Sequence, residues 1–75
     1  MNKQSFEIFH WEFFIDDDVI NVYEKRSGDV IGWIKNITIP GPILNQLLTI
    51  EEMFVKEHYN EEQVYNWIEE HIEYI

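Results

Sequence analysis

The side chains with the chemistry to act are carboxylates and imidazoles. The 75-residue chain carries fifteen Asp and Glu, five Lys and Arg, three His and no Cys. A zinc-binding helix sets two His four residues apart on one face, and no pair among His10, His58 and His71 has that spacing. Asp16-Asp17-Asp18 places three carboxylates side by side. A calcium loop instead needs oxygens at alternating positions, a turn Gly and a distal bidentate Glu. The run reads as a solvated turn, and no metal site is expected. No Ser has an evident His and Asp companion, no Gly-rich segment could cradle a phosphate, and there is no thiol nucleophile. Acid–base catalysis needs two carboxyls held in different environments, which abundance alone does not supply. Neither a catalytic residue nor a cofactor is expected. His58 reads as a cation suited to a helix end and His71 as a packed or rim residue, while His10 shares a strand face with Glu12.

What remains is charge. The formal balance is −10, which makes nucleic-acid phosphate and anionic membrane poor partners. It suits a basic protein surface, a polyamine or a divalent cation; the plain alternative is that the acids only confer solubility. No run approaches the ~18 apolar residues of a spanning helix. The first residues lack a smooth apolar core ending in small side chains, so no signal peptide is expected. With no Cys, a cytoplasmic location is expected.

The elements must position these groups within one domain of residues 1–75. A chain this short buries only ~60% of its unfolded surface. Its three Trp, four Tyr and five Phe enlarge what the core can hold. Residues 6–15 read as one strand, with Phe9, Trp11, Phe13 and Ile15 on one face and Phe6, Ile8 and Phe14 on the other. Residues 19–25 and 30–39 read as a hairpin closed by Ser27-Gly28. Arg26 then faces Asp29, and Tyr23 faces Gly32. Pro40-Gly41-Pro42 ends the sheet. Beyond it, Ile43, Leu44, Leu47 and Leu48 keep helical spacing, and Thr49 with Glu52 fits a capping box that begins a second helix over residues 50–58. One kinked helix is the alternative. Asn60 with Gln63 opens a last helix whose stripe is Val64, Trp67, Ile68, His71, Ile72 and Ile75. The expected fold is α+β: a three-stranded antiparallel meander over residues 1–39, with two or three C-terminal helices on one face.

The stretch LTIEEMFVKEHYNEEQVYNWIEEH resembles the helix-turn-helix of bacterial regulators over about a third of the chain. It departs from that pattern in two ways. The turn lacks the Gly common there. The second helix has no Lys or Arg to donate to base edges and phosphates. From Thr38 onward there are eight acids and one base, Lys56. Direct nucleic-acid binding is therefore not expected.

These observations imply a non-catalytic binding module, an acidic inhibitor or regulator that docks on a basic protein surface, a nucleic-acid-binding one included, in the style of phage-encoded inhibitors. The contact residues expected are Glu51, Glu52, Glu57, Glu61, Glu62, Glu69, Glu70 and Glu73, with Phe6, Ile8 and Tyr23 as apolar anchors. Two alternatives are a homo-oligomeric structural or assembly protein in which the aromatic face of the first strand is self-complementary, and an acidic regulator contacting transcription machinery through its helix pair.

Overall fold

The structure is a computed structural model that describes residues 4–35 and 37–75. Its elements are β1 (Ser5–Ile8), β2 (Trp11–Asp16), β3 (Val19–Glu24), β4 (Asp29–Ile34), α1 (Ile43–Lys56), α2 (Glu61–His71) and β5 (Ile72–Tyr74). The strands form one antiparallel sheet in the order β1-β2-β3-β4-β5. The α+β class holds, but five strands replace the expected three.

The first added strand comes from splitting residues 6–15. Ile8 pairs with Trp11 across a turn at Phe9 and His10, and Phe9 takes a left-handed φ of 53°. Neither residue is a turn former, so local propensity did not signal the break. Burial explains it. The reversal brings the even positions of β1 and the odd positions of β2 to one face. Phe6 then stacks on Phe13 at 4.8 Å. A strand with two apolar faces is in fact two strands with one each.

The second added strand is β5. The expected stripe ran through Ile72 to Ile75, but α2 ends at His71 and Ile72 turns extended. β5 zips onto the free edge of β4, and Lys35 N–H donates to His71 O (2.7 Å) and Ile75 N–H to Ile31 O (3.1 Å). Ile72 stays buried there, whereas Ile75 is exposed. Gly32 makes this approach workable, because a Cβ at that position would collide with the Glu73 carbonyl oxygen.

The β3–β4 connection also differs from expectation. Glu24 pairs with Asp29 around the four-residue loop of Lys25, Arg26, Ser27 and Gly28, and Gly28 adopts φ 75°. Ile31 is bulged, so Tyr23 faces Val30 and Gly32 faces Val22. The loop wraps the Glu24 carboxylate, which accepts from Arg26 N–H at 2.6 Å. The acidic run does form a turn, with Asp17 and Asp18 both left-handed.

α1 is one helix, so the capping box at Thr49 does not form. Leu47, Ile50 and Phe54 make a single buried stripe that runs past Thr49. The helix ends in a Schellman motif: Tyr59 N–H bonds Phe54 O, His58 N–H bonds Val55 O, and the Phe54 and Tyr59 rings lie 5.0 Å apart. His58 fills the left-handed position that Gly usually takes, at φ 53°. The Asn60–Gln63 capping box forms as expected, with both bonds at 2.8 Å.

Among the described residues, twelve buried hydrophobic side chains form one cluster between the inner sheet face and the helices. Phe54 joins the layers, with its ring 6.3 Å from Phe6, 5.9 Å from Phe13 and 5.3 Å from Trp67.

Two substitutions probe the backbone constraints. Gly32→Ala should destabilise the fold by roughly 2–3 kcal/mol in urea titration. It should also speed amide exchange at Lys35 and Ile75, the two donors that flank β5. His58→Gly should stabilise by about 0.5–1 kcal/mol, because it removes a side chain from left-handed backbone.

Candidate protein-binding surface

α2 buries Val64 and Ile68 and half-buries Trp67 and His71. The opposite side therefore projects Glu62, Tyr65, Asn66, Glu69 and Glu70 outward. Glu62 and Glu69 lie two turns apart, about 10 Å along the axis. Tyr65 stands between them, 49% exposed. One side of its ring meets Trp11 of β2 at 6.4 Å. An open recess of about 430 Å³ lies beside it, lined by His10, Trp11, Arg26, Glu61, Glu62 and Tyr65.

A small polar bridge sets the start of α2 against the sheet. The His10 ring meets Glu24 through Nδ1 at 2.7 Å and Glu61 through Nε2 at 3.2 Å. Carboxylates accept only, so both contacts are hydrogen bonds together only when both ring nitrogens carry protons. Burial opposes ionisation of Glu24. The Arg26 amide, the His10 ring and the Arg26 guanidinium outweigh it and hold the Glu24 carboxyl below its ordinary value. At the other end of α2, His71 Nδ1–H donates to Trp67 O at 2.8 Å while its ring stacks on Trp67 at 4.2 Å.

The expected contact residues divide. Glu57, Glu62, Glu69 and Glu70 are exposed, and among the described residues none has an ion-pair partner. Glu57 and Glu70 share the rim of a second recess of about 310 Å³ with Tyr59, Gln63, Asn66 and Trp67. The other carboxylates are engaged or set apart. Glu52 pairs with Lys56 at 3.2 Å, Glu61 meets His10, and Glu51 is half-buried on α1. Glu73 lies on β5, where Lys35 holds it at 2.8 Å.

The apolar anchors divide as well. Phe6 is 4% exposed and belongs to the core, so it offers nothing to a partner. The split of the first strand turned its face inward. Ile8 is half-buried against the same core, and Tyr23 lies half-buried on the far side of the sheet. Compared with protein-family models, curated proteins and solved structures, the chain matches none.

Sequence reasoning missed Tyr65 and the His10–Glu24–Glu61 bridge. Tyr65 carried a signal, since it sits three residues after Glu62 and four before Glu69 on the polar side of the helix. The bridge carried none, because its members come from three separate elements. Among the described residues no group of three His, Asp or Glu is arranged to hold a metal ion, and no helix is long and apolar enough to cross a membrane.

Glu24 makes a pH prediction. A carboxyl whose folded pKa is depressed adds stability above its unfolded value, and that contribution is lost as pH falls through the folded value. Wild type should therefore exceed Glu24→Gln in melting temperature at pH 7. The gap should close below the ordinary glutamate value of 4.5. A gap that persists unchanged at pH 2.5, an arbitrary point of roughly two units below that value, would place the stabilisation in packing rather than charge.

Proposed function

We propose that this protein is a non-catalytic binding module whose α2 face docks on a basic surface of another protein. Charge segregation carries the reading. Of the four described cations, Lys25, Arg26 and Lys35 stand on the sheet and its loops, and each is paired with a glutamate there. Only Lys56 belongs to the helical layer, where it is paired with Glu52. The carboxylates of α2's outer side are thus left to solvent or to a cationic partner. Such charges speed encounter and select partners more than they add affinity. Affinity needs a desolvated anchor, and Tyr65, braced by Trp11 and ringed by carboxylates, is placed to supply one. The positive groove of a nucleic-acid-binding protein is the class of surface that fits, and occupying it would make the protein an inhibitor or regulator.

Immobilised chain should capture basic proteins from a lysate at ~50 mM salt and release them near ~300 mM, as screened contacts weaken. Glu69→Lys combined with Glu70→Lys should weaken the captured complex roughly tenfold or more through its association rate. Tyr65→Ala should cost about 2 kcal/mol through dissociation. The double reversal changes exposed positions and should melt like wild type, whereas Tyr65→Ala also removes the ring packed on Trp11 and should melt somewhat lower. A complex indifferent to salt and to the double reversal would refute an electrostatic dock on α2.

A further inference from the structure

We infer that the elbow between α1 and α2 is a socket for an arginine side chain of the basic partner. The inference rests on the α2 docking reading and names the chemistry that enters it. The elbow holds the recess of about 310 Å³ lined by Glu57, Tyr59, Gln63, Asn66, Trp67 and Glu70. The last four recur at intervals of three and four residues, so they form one flank of α2. Glu57 caps the end of α1, and Tyr59 stands in the turn that follows.

The walls are fixed before anything binds. The Tyr59 ring lies 5.0 Å from Phe54 and the Trp67 ring 5.3 Å from it, and Phe54 is buried in the core. The Schellman motif holds the end of α1, and the Asn60–Gln63 capping box holds the start of α2. Little ordering is left for a partner to impose, which favours binding.

Charge selects a cation. Glu57 and Glu70 are exposed and, among the described residues, have no ion-pair partner. No Lys, Arg or His lines the recess. Lys56, next to Glu57 in the chain, is held by Glu52 at 3.2 Å. The other recesses differ. The one beside Tyr65 contains Arg26 and His10, the one on α1 contains Lys56, and the one on the sheet has a single carboxylate, Glu12. In the elbow, two unpaired carboxylates adjoin two aromatic rings. A guanidinium uses both features together: its planar fork donates to carboxylates and its face lies on a ring. It is also more weakly hydrated than an ammonium, so arginine enters such a recess more readily than lysine.

The probe is the pentapeptide acetyl-Gly-Gly-Arg-Gly-Gly-amide, titrated into the full chain at ~50 mM salt and followed by NMR. Saturating shifts are expected at Glu57, Asn66 and the Trp67 indole N–H, with a dissociation constant on the order of 1 mM, as suits one side chain. The lysine peptide should bind roughly threefold more weakly, and the neutral citrulline peptide should not bind. Glu57→Gln combined with Glu70→Gln should weaken the arginine peptide about tenfold. Glu12→Gln combined with Asp16→Asn removes the same charge from the sheet and should change binding by less than about twofold. Shifts centred on Tyr65 or on the sheet would overturn the socket, as would equal losses in the two double variants. So would a lysine peptide that binds as well as the arginine one. The docking reading fails separately: an arginine peptide seated in the elbow supports the socket even where no basic protein is captured, and a captured, salt-sensitive complex indifferent to Glu57→Gln with Glu70→Gln sinks the socket alone.

Discussion

β5 can lie beside β4 only because Gly32 has no side chain, and much of the molecule's outer geometry follows from that close approach. A Cβ there would strike the Glu73 carbonyl oxygen. With the space open, three residues after α2 enter the sheet, and the hydrogen bond from Lys35 N–H to His71 O fixes where the helix stops. Its start is fixed by the Asn60–Gln63 capping box and by His10 reaching Glu61. A helix held at both ends has a set rotation about its axis. Val64 and Ile68 must then face the sheet, and Glu62, Tyr65 and Glu69 must face away.

The core between the layers is aromatic, and Phe54 is its meeting point. Its ring lies against Phe6 and Phe13 of the sheet, Tyr59 of the turn and Trp67 of α2. Offset and edge-on ring pairs add to the area they bury, which suits a domain too small for a deep aliphatic core. Using Phe6 in this way removes it from the surface. The exposed aromatics are spread around the molecule: Tyr65 among the carboxylates of α2, Trp33 on the outer face of the sheet, Phe9 in the turn between β1 and β2, and Tyr74 on β5.

Local signals with a single physical cause were readable from the sequence. Asn60 capping α2, the turn at Asp17-Asp18 and the stripe of Val64 and Ile68 all depend on residues within one turn of each other, whereas the strand expected to run to Pro40-Gly41-Pro42 ends at Ile34. The misreadings arose where distant partners decide. Nothing in Phe9-His10 announces a reversal; the gain comes from stacking Phe6 on Phe13. Thr49 has the makings of a cap, yet the stripe of Leu47, Ile50 and Phe54 carries the helix past it. Ile72 fits a helical stripe and a strand equally well, and the free edge of β4 decides between them. Phe6 and Ile8 read as anchors only if residues 6–15 form a single long strand, which leaves one apolar face uncovered.

The sequence by itself determined the net charge, the absence of thiol chemistry, the α+β class and the acidic character of the last helix, since these follow from composition and short-range periodicity. Only the tertiary structure decided which carboxylates stay free. Glu61 and Glu73 look like Glu62, Glu69 and Glu70 along the chain, but the first two come within reach of His10 and Lys35, whereas Glu52 meets Lys56 four residues on along the same helix. Ion pairs form over a few ångströms, and for residues as far apart in sequence as Lys35 and Glu73 the fold sets that distance.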